Sequence, residues 1–169
     1  MVEIKIFTAP IRSGKTTALM SLFAKRKDTT GFLCPDVDGL RHFYDLSNAL
    51  LLPFEAEERA VDCEDLVAIG RFRFKKEIFI QAEVILMNAL TSKYKFIVID
   101  EVGKLELMGN GYEPMFGKFL VAIRALDIDC IVILVVRDYL LDQVIERYSL
   151  SDACVIHLAN FNGLDDFSK

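Results

Sequence analysis

Two stretches of this chain, residues 96–99 (Phe-Ile-Val-Ile) and 130–136 (Cys-Ile-Val-Ile-Leu-Val-Val), are apolar at every position. Successive side chains of a strand point to opposite faces, so a strand with no polar position is covered on both sides. Such strands belong to parallel sheets sandwiched between helices. Val2, Ile4, Ile6 and Phe7 open the chain with a further strand, and residues 155–158 form a last, shorter one. A helical pattern runs from the first loop through Lys25. Residues 76–90 carry Phe79, Ala82, Glu83, Leu86 and Leu90 at helical spacing, and residues 115–126 and 139–148 also read as amphipathic helices. Strands alternating with helices predict an α/β, doubly wound domain with a mostly parallel central sheet. Residues 36–75 depart from that rhythm, with short β-like pieces and the turn pairs Asp38-Gly39 and Ser47-Asn48. They are expected to form an antiparallel insert or sheet extension. With no repeat, low-complexity tract or linker, residues 1–169 are read as a single domain.

Composition narrows the functional classes. The 169 residues are 53% hydrophobic, enough for one substantial core. Mean hydropathy is +0.31, yet every apolar run falls far short of the ~18 residues of a membrane span. Charges alternate with apolar residues at the N-terminus, unlike a signal peptide, which predicts a cytoplasmic protein without a membrane partner. Net charge is −5, which opposes attraction to a nucleic-acid backbone, so no nucleic-acid partner is expected. Cys34, Cys63, Cys130 and Cys154 are widely spaced, with only His42 and His157 as companions. That argues against structural zinc and disulfides, and Cys130 and Cys154 are expected to be small buried hydrophobes at strand starts.

The first strand runs into Ala9-Pro10-Ile11-Arg12-Ser13-Gly14-Lys15-Thr16, with Thr17 following in the helix. This is the spacing of a Walker A loop with Ala in place of its first Gly. A polyphosphate needs many donors at close range, and a tight loop opening a helix points successive amides inward while the helix dipole adds partial positive charge. Gly14 lets the backbone approach. Lys15 is placed to reach the β and γ phosphates, and the Thr16 hydroxyl to ligate Mg²⁺. The strand before the loop and the helix after it are the setting that mechanism requires.

The run 96–99 ends in Asp100-Glu101, which puts two carboxylates at the carboxyl edge of the sheet, where open α/β folds bind ligands. In a Walker B reading Asp100 holds Mg²⁺, and Glu101 orients or deprotonates an attacking water. Cationic help at the γ phosphate is also required, and Arg12, Arg71, Arg73, Arg124 and Arg137 are the candidates. Arg137 follows the strand 130–136 at that same edge and is assigned a catalytic role alongside Lys15 and Glu101; a solvated strand-end Arg is the competing reading. Arg71 and Arg73, interleaved with Phe72 and Phe74, fit either a lid or, preferably, a plain hairpin with one polar face.

Taken together, the loop from Ala9 to Thr17, Gly31-Phe-Leu-Cys-Pro-Asp36, Ile69-Gly-Arg-Phe72 and Ile99-Asp-Glu-Val-Gly-Lys-Leu-Glu-Leu107 resemble the THEP-type nucleoside triphosphatases. The similarity extends from about Lys5 to Leu158, and Asp-Glu-x-Gly-x-Leu-Glu-Leu is its most specific piece. The resemblance implies a three-layer, RecA-like P-loop NTPase fold with added antiparallel strands. It also implies Mg²⁺-dependent hydrolysis of ATP, GTP and other nucleoside triphosphates. By motif match Lys15 and Thr16 make phosphate and Mg²⁺ contacts, Asp100 serves the metal and Glu101 the water; Gly103 lets the following loop turn, and Glu106 braces it or points into the site. The family's Asn-Arg pair after the last strand is replaced by Ala159-Asn160-Phe161-Asn162-Gly163.

Two other functions fit the same motifs. A nucleotide or small-molecule kinase shares the loop, with residues 36–75 as acceptor pocket or lid. A slow nucleotide-dependent regulatory switch uses hydrolysis only to time a conformational state. Neither the preferred base nor the oligomeric state is encoded in these motifs.

Overall fold

The computed structural model describes residues 1–56 and 65–168; Cys63 and part of the antiparallel segment lie outside the described residues. In chain order the elements are β1 (Val2–Ala9), α1 (Lys15–Phe23), β2 (Thr29–Leu33), β3 (Asp36–Val37), β4 (Leu40–Asp45), β5 (Leu50–Pro53), β6 (Leu66–Ile69) and β7 (Phe72–Lys75). There follow α2 (Lys76–Thr91), β8 (Phe96–Val102), α3 (Lys104–Leu107), α4 (Met115–Ala125), β9 (Cys130–Arg137), α5 (Leu141–Arg147), β10 (Cys154–His157) and α6 (Asp165–Ser168). Short 3₁₀ turns precede α5 and follow β10.

The main sheet has the order β10-β1-β9-β8-β2-β4-β3, with β5 also paired to β4. The pairings β1–β10, β1–β9, β8–β9 and β2–β8 are all parallel, whereas β4 runs antiparallel to β2, β3 and β5. Strand β9 separates the loop-bearing β1 from the acidic strand β8, so the two motif strands are not neighbours. Helices cover both faces, as the unbroken apolar runs require. Val98, Ile131 and Ile133 meet Leu19 and Phe23 of α1 and Phe167 of α6 on one face. Ile97, Ile99, Val132 and Leu134 meet Ala82 and Leu86 of α2 and Phe116 and Phe119 of α4 on the other. Adjacent residues thus serve different layers, and a polar residue anywhere in the run costs burial on one side or the other.

Among the described residues of 36–75, β3 to β5 extend the main sheet, and β6 and β7 form a two-stranded hairpin bridged to Glu55 through Phe74. Asp38 (φ 53°) and Gly39 (φ 83°) make the β3–β4 turn, both left-handed as a two-residue hairpin connection requires. Strand β2 lies beside β8 at close range because Gly31 (φ 104°) has no side chain; a Cβ there would sit 1.9 Å from the Val98 carbonyl oxygen. Helix α1 ends at Phe23, short of Lys25, and the stretch after Arg137 is 3₁₀ before it becomes α-helical. Cys130 is buried as expected, but Cys154 is exposed, since β10 is an edge strand with one neighbour. No helix among the described residues is long and apolar enough to cross a membrane.

Candidate active site

The loop between β1 and α1 and the end of β8 meet at the carboxyl edge of the sheet. The Thr16 hydroxyl donates to Asp100 Oδ2 at 2.8 Å, across 84 positions of sequence. The same oxygen accepts the Cys34 amide at 3.0 Å, and Oδ1 accepts the Glu101 amide at 2.8 Å. Asp100 is 1% exposed. Burial raises its carboxyl above the ordinary carboxylate range, the neighbouring Glu101 charge pushes the same way, and the donors from Cys34, Thr16 and Glu101 oppose them.

Helix α1 is preceded by Gly14 as its N-cap (φ 92°), and no side chain caps it. Arg12 is also left-handed (φ 57°) and stands exposed at the loop tip. Lys15 Nζ folds back onto the loop, donating to the carbonyls of Ala9 and Pro10 at 2.7 Å each, with Ser13 Oγ at 3.5 Å. Partial burial lowers its pKa, against the pull of Asp100 and Glu101. Ile11, Arg12, Ser13, Gly14, Lys15, Thr16 and Thr17 line a cleft of about 770 Å³ together with Asp100, Glu101 and Arg137. Ala9 and Pro10 contribute carbonyls behind the lysine rather than cleft surface.

Glu101 adopts φ 60°, a left-handed conformation that costs a non-glycine residue on the order of 1–3 kcal/mol. The pairing between β8 and β9 shifts register between Ile99 and Val102, so Asp100 and Glu101 sit on a bulge that aims both side chains into the cleft. Glu101 makes a left-handed turn inside β8, and the chain then passes into α3 at Gly103 (φ −165°, ψ −137°), where a Cβ would meet only ordinary contacts. Arg137 Nη2 donates to Glu101 Oε2 at 2.9 Å, and Arg41 Nη2 lies 3.3 Å from Oε1. Arg41 also donates to the Cys34 carbonyl at 2.9 Å.

Arg41 is the cation that sequence reasoning missed. It stands alone between Leu40 and His42 with no spacing signal, and it reaches the site only because β4 pairs back along β2. Of the other arginine candidates, Arg71 lines the cleft. Arg73 bonds carbonyls of its own hairpin, at Gly70 and Phe72, and Arg124 pairs with Asp152 at 2.7 Å, away from the cleft. The cleft holds Arg12, Lys15, Arg41, Arg71 and Arg137 against Asp36, Glu55, Asp100 and Glu101, so it is cationic within an acidic chain. Glu106, the last acid of the motif, is 1% exposed. It braces the loop after β8, accepting the amides of Gly103 at 2.8 Å and Tyr112 at 3.1 Å. Burial pushes its carboxyl up to about 7, outweighing those two donors.

No protein-family model matches the chain, and no curated protein matches by sequence. Solved structures do. A human cancer-related nucleoside triphosphatase, determined in solution, aligns with a TM-score of 0.66 at 20% identity, over 95% of this chain and 90% of that one. The crystal structure of THEP1 from the hyperthermophile Aquifex aeolicus aligns with a TM-score of 0.62 at 19% identity, over 94% of this chain and 90% of that one. The mostly parallel sheet, the strand inserted between the two motif strands and the antiparallel extension give this chain the three-layer P-loop fold shared with those two nucleoside triphosphatases.

Proposed function

We propose that the chain is a Mg²⁺-dependent nucleoside triphosphatase of the THEP type, which hydrolyses ATP, GTP and other nucleoside triphosphates to the diphosphate and phosphate. The observation that carries this reading is the 2.8 Å bond from Thr16 to Asp100. It joins the phosphate loop to the acidic strand and leaves Glu101 one residue further along, facing the same cleft.

The Thr16 hydroxyl and the Asp100 carboxylate are hard oxygen donors at the foot of the loop, which suits Mg²⁺, an ion that takes one or two protein oxygens and completes its shell with water and phosphate. When bound, Mg²⁺ neutralises charge on the β and γ phosphates. The protein does the rest. The loop amides and the N-terminus of α1 hold the triphosphate, and Lys15 exchanges the carbonyls of Ala9 and Pro10 for phosphate oxygens. Glu101 receives a proton from water as its oxygen attacks the γ phosphorus, and the diphosphate departs with the bridging electrons. Arg137 and Arg41 stand on either oxygen of Glu101, within reach of charge that develops on the transferred group. No motif reads a base edge, so broad base tolerance is expected.

The test is phosphate release from ATP, GTP, CTP and UTP with Mg²⁺, for wild type, Lys15→Ala and Glu101→Gln. Release without an added acceptor separates hydrolysis from an obligate kinase. Turnover that appears only with an added protein partner favours the switch. Comparable binding of all four nucleotides with no release by wild type defeats the hydrolase reading.

A further inference from the structure

Beyond the Glu101 side of the phosphate cleft lies a second cavity, of about 290 Å³. The two cavities share Arg41, Phe72, Glu101 and Arg137 as a common wall. Four of its other lining residues, Phe54, Phe74, Phe79 and Tyr112, are aromatic like Phe72, and the charged Lys104 and Glu106 line it as well. These rings contact one another in sequence, with centroids 6.2 Å apart for Phe72–Phe74, 4.7 Å for Phe54–Phe74, 5.1 Å for Phe54–Phe79 and 5.4 Å for Phe79–Tyr112. Phe72 is 38% exposed at the wall, unlike the buried Phe54.

A water nucleophile needs none of this. Rings give water no hydrogen bonds, whereas a concave aromatic surface bordered by a few charged groups is the usual form of a site for a small flat organic molecule, and this volume is near the lower end of such sites. Position decides which molecule. If Glu101 acts on the γ phosphate, the nucleobase, attached at the α end, lies away from Glu101. A cavity behind Glu101 therefore faces the acceptor side of the reaction.

We infer that this cavity binds a small aromatic alcohol and that the enzyme transfers the γ-phosphoryl group to its hydroxyl, hydrolysis being the reaction when the cavity holds only water. The acceptor oxygen forms a bond to the γ phosphorus while the bond from that phosphorus to the β–γ bridging oxygen breaks. The hydroxyl proton passes to Glu101, and the nucleoside diphosphate leaves with the bridging electron pair. Residues 36–75 supply Arg41, Phe54, Phe72 and Phe74 to the cavity, which gives the antiparallel extension and the hairpin a common purpose. This inference rests on the phosphate-site reading above.

The experiment uses the full chain with Mg²⁺ and γ-labelled ATP, adding benzyl alcohol, 3-pyridylmethanol or uridine, with glycerol as the non-aromatic control. Labelled phosphate ester and inorganic phosphate are separated and their ratio is measured. At least one aromatic alcohol should give an ester-to-phosphate ratio ten-fold or more above glycerol at equal concentration. Ile69→Trp, which fills the cavity from β6, should lower that ratio ten-fold; a ratio does not depend on how much of the variant folds. Hydrolysis with no ester above the glycerol level overturns the acceptor site and leaves the triphosphatase reading standing. An aromatic alcohol that competes with ATP marks a base pocket and overturns it too. Absence of both ester and phosphate, with no ATP binding, removes the underlying reading itself.

Discussion

Arg137, at the end of β9, donates from Nη2 to Glu101 Oε2 at 2.9 Å, from the strand that separates the two motif strands. Arg41 holds the other carboxylate oxygen from the antiparallel extension. The Glu101 carboxylate is thus held by two cations of different origin, and in the proposed reaction both would stand beside the charge that develops on the γ phosphate. Arg137→Ala should cut turnover by ~100-fold or more, the scale of losing one preorganised donor, while ATP affinity changes far less. Arg137→Lys should recover only part, because a point charge does not replace a planar fork. Steady-state kinetics with nucleotide binding by fluorescence check this; an Arg137→Ala enzyme within two- or three-fold of wild type would leave that residue a strand-end cation.

Lys15 is spent on the carbonyls of Ala9 and Pro10, both at 2.7 Å. In the proposed reaction triphosphate replaces them, and a charge-assisted bond to phosphate is worth about 1.5–3 kcal/mol. Lys15→Ala should therefore weaken ATP binding by roughly 10- to 150-fold and lower turnover with it. Calorimetric titration with a non-hydrolysable ATP analogue measures the first effect. Unchanged affinity would mean that the lysine never leaves the loop.

Glu101→Gln keeps shape and removes the proposed proton acceptor. Binding should persist while turnover falls by ~100-fold or more, the range of a positioned acid or base. The glutamine oxygen can still accept from Arg137, but its amide nitrogen then faces Arg41, so the expected stability cost is that of one partly exposed ion pair, up to about 1 kcal/mol. Equal losses in affinity and turnover would assign Glu101 to ground-state binding instead.

Glu106 provides a pH test of the fold. Its carboxyl is pushed up to about 7 from an ordinary 4.5, chiefly by burial. The native state therefore keeps a proton that the unfolded chain releases, so the unfolded state binds fewer protons between those two values and stability falls as pH rises through that window. The contribution is fully present below pH ~4.5 and lost above ~7, and its size is at most roughly 3 kcal/mol at 1.36 kcal/mol per unit. Glu106→Gln should flatten this part of the stability profile. It should also cost about 1–3 kcal/mol, because its amide nitrogen would face one of the two backbone donors from Gly103 and Tyr112. Urea unfolding from pH 4.5 to 8 decides; an identical slope in both proteins would place the titration elsewhere.

The central sheet was legible because its signal is strong: residues 96–99 and 130–136 are short, β-branched-rich runs with no polar side chain, which together fit a strand buried on both faces. The Walker A spacing and the Asp100-Glu101 pair placed the cleft, and Asp38-Gly39 marked its hairpin. What stayed hidden depends on long-range pairing. Arg41 carries no local signature, and the Cys34 amide that holds Asp100 is backbone, invisible to any residue-type rule. The four-residue α3 is too short to show periodicity. The left-handed backbone at Glu101 also carries no local signal, because it comes from the bulge in the pairing of β8 with β9.

Gly31 links that hidden part of the site to the fold. Its φ of 104° is unfavourable for any side chain, and a Cβ would lie 1.9 Å from the Val98 carbonyl oxygen, a backbone atom that cannot swing aside. Relief requires β2 to move away from β8. Two costs add: a left-handed non-glycine residue at about 1–3 kcal/mol, and overpacking between strands at another 1–3 kcal/mol. Gly31→Ala should therefore destabilise the fold by about 4 kcal/mol, measured by urea unfolding. Catalysis should suffer even in the folded fraction, because the Cys34 amide that bonds Asp100 lies just past the end of the same strand, at 3.0 Å from its Oδ2. A Gly31→Ala protein within about 1 kcal/mol of wild type would show that β2 and β8 do not meet this closely in solution, and the bonded frame around Asp100 would have to be redrawn.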